Sequence, residues 1–275
     1  MKRLHFVLAF LSLFIISCSK NGGGSGNASS GRLEVRITDS PTGIDAVNID
    51  LKGLDVSTSD DPATTNWTAL TMISTGVINL LSYTNGNSLK ISDLNVTPSV
   101  IKQLRLRFGT NNSVVVNGTT YPLTLAPAAQ NGTVIPVTVT ITANGNASAW
   151  IDFIAARSIT QTAPNTFILN PFLRAFNANS SGGVEGYVLP AVAQPVIEVP
   201  VYNSNGIDTT ILVAIPDANG YFKVVGLSPA QSFPGGSTGQ AIIYQPLNST
   251  YLSTSKIITI VTGTVNNLGT TTLFQ

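Results

Sequence analysis

Hydrophobic and polar residues alternate with a period of two along most of the chain. Leu33, Val35 and Ile37 are separated by Glu34 and Arg36. Successive side chains of a β-strand point to opposite faces, so this alternation predicts strands with one buried face. Similar strand patterns recur over residues 47–51, 104–108, 114–116, 119–125, 137–141, 149–154, 167–176, 197–201 and 211–215. Many short strands separated by turns predict an all-β chain of antiparallel β-sandwiches.

Turn and breaker residues refine this picture. Asn117-Gly118 lies between two strand patterns and predicts a type I′ hairpin. Pro200 lies within a strand pattern and has no N–H to donate to a neighbouring strand, which predicts an edge strand. Short helices are expected only at residues 99–102 or 154–159. Trp150 lies between apolar neighbours and is expected in the core.

A polar segment divides the strands into two sets. Residues 177–183 contain Asn, Ala, Ser and Gly and predict a flexible linker. The chain has 275 residues, a length that suits two ordinary domains. We therefore expect two tandem β-sandwich domains, residues 32–177 and residues 178–275.

The first residues have the features of a lipoprotein signal peptide. A basic pair, Lys2 and Arg3, precedes the apolar residues 6–16, which are too few to span a bilayer. The run ends at Ile15-Ile16-Ser17-Cys18, which resembles the lipobox that lipoprotein signal peptidase cleaves. The resemblance implies a signal peptide over residues 1–17 and lipidation of Cys18.

Residues 18–31 then form a Gly/Ser-rich tether with a root-mean-square span of roughly 20 Å. Ser19 stands where many inner-membrane lipoproteins carry aspartate, which favours the outer membrane and leaves its face open. The expected partner is thus a membrane, contacted through the lipid anchor.

Composition excludes several functions. The chain carries 14 basic and 13 acidic residues, and removal of Lys2 and Arg3 with the signal peptide leaves 12 basic. Nucleic acid is therefore not an expected partner. The sole histidine, His5, lies in the signal peptide, and the sole cysteine is Cys18. The mature chain then lacks histidine- and thiol-based catalysis, so no catalytic residue, cofactor or metal is predicted.

Carboxylates and aromatic rings leave alternatives open. The acidic residues are densest between Asp39 and Asp61, where a glycosidase-type acid pair or a calcium site stays open, although the spaced calcium-loop signature is missing. Trp67, Tyr83 and Tyr121 fall near turns or strand ends, where rings can stack on sugars or cap a sandwich core. These three residues are the candidate ligand-binding residues.

A series of short motifs occurs in order along residues 32–177. The motifs are Gly31-Arg32-Leu33, Ile37-Thr38-Asp39-Ser40-Pro41, Ile78-Asn79-Leu80-Leu81, Leu104-Arg105-Leu106, Val116-Asn117-Gly118, Tyr121-Pro122-Leu123, Ile151-Asp152-Phe153, Arg157-Ser158-Ile159 and Leu169-Asn170-Pro171. The series resembles an envelope family called domain of unknown function 4382. The resemblance implies an envelope location but no specific chemistry. Ile154 stands where the family often has a second acid.

A second set of motifs lies toward the end of the chain. It comprises Val184-Glu185-Gly186-Tyr187-Val188, Asp217, Gly220, Phe222, Gly226-Leu227 and Asn267-Leu268-Gly269. The set resembles the small transthyretin-like sandwich that follows carboxypeptidases. Because that module is usually a passive spacer, the resemblance implies a fold and no activity.

Together these observations predict a non-catalytic cell-envelope lipoprotein that presents a binding or scaffolding surface. The alternative is a carbohydrate-binding lipoprotein that captures glycans, and a third interpretation is a carboxylate-dependent glycosidase. Its partner beyond the membrane would be a glycan or an envelope protein.

Overall fold

The computed structural model describes residues 29–40, 43–202, 209–229 and 239–275. These residues form twenty β-strands and a few short helices, which confirms the all-β sandwich fold. The signal peptide, Cys18 and most of the tether lie outside the described residues. Within the described ranges, no helix has the length and apolar character needed to cross a bilayer.

The N-terminal sandwich comprises residues 31–177. Its strands are β1 Gly31–Ser40, β2 Ala46–Ser57, β3 Thr68–Leu70, β4 Gly76–Asn79, β5 Leu89–Val96, β6 Ser99–Phe108, β7 Ser113–Val116, β8 Thr119–Leu125, β9 Thr133–Ile141, β10 Asn146–Ile154, β11 Ile159–Ala163, β12 Thr166–Leu169 and β13 Leu173–Asn177. Two 3₁₀-helices, Leu80–Tyr83 and Pro127–Ala129, and the single turn of α1, Ala155–Ser158, lie between strands.

Two sheets enclose the core of this sandwich. One has the strand order β13-β10-β1-β5, with β1 parallel to β10 and antiparallel to β5. The other has the order β11-β12-β8-β7-β2-β6-β9, and β3 and β4 also pair with β2. The alternating residues Leu33, Val35 and Ile37 are at most 1% exposed and point into this core, as their pattern predicts.

The C-terminal sandwich comprises residues 182–275. Its strands are β14 Gly182–Leu189, β15 Pro195–Tyr202, β16 Thr209–Ala214, β17 Tyr221–Leu227, β18 Gln240–Pro246, β19 Thr254–Ile258 and β20 Val265–Thr272, with a 3₁₀-helix at Ala191–Ala193. The sheets have the orders β17-β14-β20 and β16-β15-β18-β19. Their facing side chains, including Phe222 and Tyr244, form a second core.

Several local predictions are confirmed. Asn117 and Gly118 have φ angles of 50° and 74° and join β7 to β8, as a type I′ hairpin requires. The short helix near residue 154 exists as α1. Residues 99–102 instead begin strand β6, because the β-branched Val100 and Ile101 fit the pleated sheet.

The edge-strand prediction for Pro200 is wrong. Strand β15 pairs with β16 on one side and with β18 on the other, so it is an interior strand. Pairing with β18 ends at Glu198, before the proline. Beyond that point the Gln240 side-chain amide donates to the Pro200 carbonyl at 2.7 Å. The missing N–H of proline therefore interrupts no ladder.

Trp150 is also not in the core. Its neighbours Ala149 and Ile151 are at most 1% exposed and point inward, so the period of two turns the indole outward. The half-buried ring lies against Arg36 and Phe176 on the outer face of the sheet.

The segment between the sandwiches is ordered. The backbone N–H of Ala178 donates to the Ser148 carbonyl at 2.9 Å, and the Asn179 side chain accepts from the Ser148 N–H at 2.9 Å. These bonds fix a turn where the composition predicts a flexible linker. The division into domains at residue 177 stays a prediction.

Arg174 joins the two sandwiches. Its guanidinium pairs with the buried Asp152 carboxylate at 2.8 Å and donates to the carbonyls of Val225 and Gly226 in β17 at 2.9 and 2.8 Å. A Cβ added to Gly226, whose φ is 72°, would collide with the Phe176 ring. Glycine therefore allows the two sandwiches to approach closely.

Apolar packing continues across the junction. Ile154 is 2% exposed and packs into the core of the C-terminal sandwich, together with the half-buried Phe172. The Asn85 amide adds a hydrogen bond to the Ile215 carbonyl at 3.0 Å. An acid at position 154, which is frequent in the resembling family, would place an unpaired charge in this second core. The departure at Ile154 thus suits this junction.

Candidate functional site

A groove opens between the two sheets at one end of the N-terminal sandwich. It has a volume of about 760 Å³, within the roughly 300–1,000 Å³ common for small-molecule pockets. The starts of β1 and β6, the ends of β2 and β5 and the segment from Thr65 to Leu70 form its walls. We call it the Trp67 groove.

The lining of the Trp67 groove is mixed in polarity and carries no charge. Apolar side chains come from the margin of the core, and hydroxyl and amide groups surround them. None of the described residues that line the groove is Asp, Glu, Lys, Arg or His. The uncharged polar side chains include Ser57, Thr58, Asn66, Thr68, Asn95 and Thr97.

Trp67 is held in place from two directions. The indole N–H donates to the Thr64 carbonyl at 2.9 Å. The Arg105 guanidinium lies over the ring, 4.5 Å from its centroid, in a cation–π contact. Arg105 does not line the groove, whereas Trp67 does. The protein therefore fixes the ring of a residue that borders the groove.

A buried acid fixes Arg105 in turn. Asp55 is 3% exposed and forms ion pairs at 2.9 Å with Arg105 and with Arg107. Strands β2 and β6 place Asp55 opposite Arg105 in the register. Asp55 and Arg105 thus position the indole without reaching the groove.

Replacing Asp55 with asparagine is expected to loosen this arrangement. The amide leaves two guanidiniums without their counter-charge, but both arginines reach solvent, so the free energy of unfolding falls by only about 1 kcal/mol. In a Trp150→Phe background, where Trp67 is the only indole, fluorescence anisotropy should fall. Asp61→Asn, in an exposed turn, is the matched control. Unchanged anisotropy in Asp55→Asn would contradict the positioning role.

The structure separates the three predicted aromatic residues. Thr68, next to Trp67, pairs with Val56 near one end of β2. Tyr121 pairs with Val114, which pairs with Val47 near the other end of β2, and a strand of this length spans about 30 Å. Trp67 and Tyr121 therefore cannot form one sugar platform.

The contacts of Tyr121 and Tyr83 indicate structural roles for both residues. The half-buried Tyr121 ring packs on Phe167 with 5.5 Å between centroids. Tyr83 ends a 3₁₀-helix, and its carbonyl accepts a hydrogen bond from the Thr38 hydroxyl at 2.9 Å. Neither residue lines the Trp67 groove. Sequence reasoning found Trp67 and missed the groove's hydroxyls and amides, because Thr and Asn are too common in this chain to stand out.

The acidic residues between Asp39 and Asp61 also separate into structural roles. Asp45 accepts from the Gly118 N–H at 2.8 Å and fixes the hairpin, and Asp50 accepts from the Asn111 N–H at 3.2 Å. Asp55 is held by two arginines. Over the described part of the chain, no group of three or more His, Cys, Asp or Glu side chains has a metal-binding arrangement.

Asp39 is the second-last residue of strand β1. It is 5% exposed, and within the described structure its carboxyl oxygens form no well-aligned hydrogen bond, although the backbone N–H groups of Ser40 and Ala155 lie near enough to favour the charged form. Burial raises the pKa of the Asp39 carboxyl well above its ordinary value, and the neighbouring Asp152 carboxylate raises it further. The Asp39 carboxyl thus favours its protonated form in the folded protein.

Solved structures give only remote similarity. The chain resembles the Bacillus anthracis TIE protein at 11% identity and a TM-score of 0.20, covering 89% of this chain and 34% of that protein. Shaft pilin SpaA from Lactobacillus rhamnosus GG has 10% identity and a TM-score of 0.20, with 86% and 96% covered. A fimbrial protein from Bacteroides ovatus has 10% identity and a TM-score of 0.22, with 90% and 51% covered. TM-scores this low transfer no functional property.

Sequence comparison is more informative. No curated protein is significantly similar to the chain. The model of one family, described as domain of unknown function (DUF4382), matches residues 30–171, which is more than half of the chain. The match includes Asp39, Asp55, Trp67 and Asp152. The chain therefore belongs to the DUF4382 family.

Proposed function

We propose that the protein is a non-catalytic cell-envelope lipoprotein that presents a binding or scaffolding surface. The observation that carries this proposal is the junction formed by Arg174, which links a buried ion pair of one sandwich to backbone carbonyls of the other. Two sandwiches joined in this way form a stiff unit, and stiffness suits a protein that holds a surface at a fixed place.

The contacts and burial of the acidic side chains support a non-catalytic role. A glycosidase needs two carboxyl groups on either side of an accessible bond. Asp39 is buried, Asp55 is neutralised by two arginines, and Asp45 and Asp50 bind backbone N–H groups. The Trp67 groove has no carboxylate among its described lining residues. A binding surface accounts for these features better than a hydrolytic centre.

The anchor in this proposal is a lipid on Cys18. Strand β1 begins at Gly31, so a short tether would separate the folded part from the bilayer by roughly 20 Å. Two or more acyl chains bind a membrane stably, whereas one chain binds reversibly. We infer that the protein resides in the outer membrane, because Ser19 follows the cysteine. The transthyretin-like C-terminal sandwich would then act as a spacer or scaffold.

Replacing Cys18 with alanine is the direct test. We expect the variant to lose incorporation of an alkyne-labelled fatty acid, to retain its signal peptide or be cleaved elsewhere, and to leave the outer-membrane fraction. Ser17→Ala keeps a small residue before the cysteine and should be processed normally, which makes it the matched control. Equal labelling and fractionation of Cys18→Ala and the unaltered chain would refute the lipoprotein proposal.

A further inference from the structure

We propose that the Trp67 groove binds a short neutral oligosaccharide. This inference rests on the proposed function, because it names the ligand class of the presented surface. It differs from the three-aromatic platform of the sequence analysis: one ring, fixed by Arg105, works with hydroxyls and amides at the strand ends.

The absence of charged side chains among the described lining residues favours a neutral ligand. Binding a phosphate, carboxylate or ammonium group without a counter-charge costs free energy through desolvation. The described lining offers hydroxyls, amides, an indole and aliphatic carbons, and no ionised group. A neutral molecule rich in hydroxyl groups fits this chemistry, since each hydroxyl can both donate to and accept from such a lining.

The indole supplies the apolar contact. A pyranose ring has a face of C–H groups that packs on an aromatic surface, while its hydroxyls point sideways. Trp67 is fixed by the Thr64 carbonyl and by Arg105 before any ligand arrives. A pre-fixed ring loses little side-chain entropy on binding. Nearby, the half-buried Val96 provides further apolar surface.

Unused polar groups surround this ring. Asn66 and Asn95 are exposed, and within the described structure no hydrogen bond uses either side-chain amide. Asn95 lies in β5 and pairs through its backbone with Arg32, so its position is set by the sheet. Thr68 is exposed and lies in β3, which pairs with β2. Asn66 and Thr68 therefore have donors and acceptors that are available to a ligand, whereas Asn95 lies opposite Arg32 on the outer face of its sheet and borders the groove from outside.

A membrane surface is the less favoured occupant of the same groove. Attraction to anionic lipids needs clustered Lys or Arg, and the described lining contains neither. Two arginines lie beside the groove, and both are paired: Arg105 lies over the indole and pairs with Asp55, and Arg32 pairs with Asp93. Binding at this groove is therefore expected to be insensitive to salt between about 0.05 and 0.5 M.

The experiment uses the full-length lipoprotein in a detergent without sugar headgroups. The chain has two tryptophans, so Trp150→Phe leaves Trp67 as the sole indole reporter. Fluorescence titration and calorimetry would be run with neutral glucan, mannan, galactan and xylan fragments. Uronic-acid oligosaccharides, N-acetylated cell-wall fragments and anionic vesicles form separate arms. We expect at least one neutral fragment to shift Trp67 emission and release heat, with the same affinity at low and high salt.

Two variants test the site itself. Trp67→Ala should lower the affinity for the best-binding neutral fragment by at least about 30-fold, as is common for a central aromatic contact. Asn66→Asp is isosteric and exposed, so it should fold normally and weaken binding about five-fold by loss of the amide donor. Tyr121→Phe, about a strand length away, is the control and should bind like the parent.

The outcomes separate this inference from the proposed function. No neutral fragment binding, binding only of charged fragments or vesicles, or equal affinity in Asn66→Asp and the parent would each overturn the oligosaccharide site. None of these results bears on Cys18 acylation, which tests the lipoprotein proposal independently. Salt-independent binding that both variants weaken would establish the site.

Discussion

Replacing Arg174 with methionine is expected to lower the free energy of unfolding by about 3–5 kcal/mol, the largest single effect we anticipate. Methionine keeps most of the aliphatic stem and removes the guanidinium. Asp152, whose side chain is 5% exposed, is then left as an unpaired buried charge close to Asp39. The carbonyls of Val225 and Gly226 also lose their donor. Urea denaturation followed by circular dichroism measures the loss.

Three further variants isolate the cause. Asp152→Asn combined with Arg174→Met removes both charges and should recover part of the stability, because no orphaned carboxylate remains. Arg174→Lys keeps the charge but has a single nitrogen in place of the planar guanidinium. Its free energy of unfolding should therefore lie between those of Arg174→Met and the parent. Arg32→Met breaks an exposed pair with Asp93 and should change the free energy of unfolding little, because solvent screens that pair. A loss in Arg174→Met no larger than in Arg32→Met would refute the role assigned to the junction.

Replacing Asp39 with asparagine is expected to stabilise the protein at pH 7. The raised pKa means that the folded state keeps a proton on Asp39 that the unfolded chain loses above about pH 4. By linkage, the free energy of unfolding then falls as pH rises from about 4 to the pKa of the folded state. Asparagine is neutral throughout, so the variant should lack this decline and have a higher free energy of unfolding than the parent at pH 7.

Asp93 is the matched control, because its carboxyl pKa is shifted in the opposite direction from that of Asp39. Hydrogen bonds from Arg32 and Lys90 lower the pKa of the Asp93 carboxyl far below its ordinary value. Its contribution is present above about pH 4 and is lost as pH falls through the pKa of the folded state. Asp93→Asn should therefore reduce the loss of unfolding free energy that accompanies acidification below about pH 4. Asp39→Asn should instead reduce the loss that accompanies a rise in pH above about 4. Unfolding curves from about pH 2 to about pH 9 cover both windows and distinguish the two variants. A destabilised Asp39→Asn at pH 7 would contradict the account of Asp39.

The two buried acids show what sequence reasoning left undecided. Asp39 and Asp55 belong to one dense stretch of acids, which left an acid pair or a cation site open. Asp39 follows Ile37 on the inward face of β1, whereas Asp55 meets Arg105 across the β2–β6 ladder. Alternation along a strand predicts that a residue faces inward, but only strand pairing identifies the side chain it meets. The acids were therefore visible in the sequence and their partners were not.

The candidate groove was predictable only in part. Trp67 was singled out because aromatic side chains are rare and it lies near a strand end. Asn66, Asn95 and Thr68 gave no signal, since Asn and Thr cover much of this weakly charged surface. Tyr83 and Tyr121 satisfied the same criteria as Trp67, and the register of β2 placed Tyr121 at the far end of the sheet. A pattern search cannot separate such residues, because nearness to a turn does not specify which end of a sandwich the turn occupies.

The sequence by itself determined the all-β fold, most strand positions, the Asn117-Gly118 hairpin and the family. These features depend on residues close together in the chain, where a period of two or a turn dipeptide limits the backbone directly. Tertiary structure alone decided that β15 is interior, that Trp150 faces outward toward Phe176, and that Arg174 joins the two sandwiches. These features depend on strands distant in sequence, whose order and register are set by the packing of whole sheets.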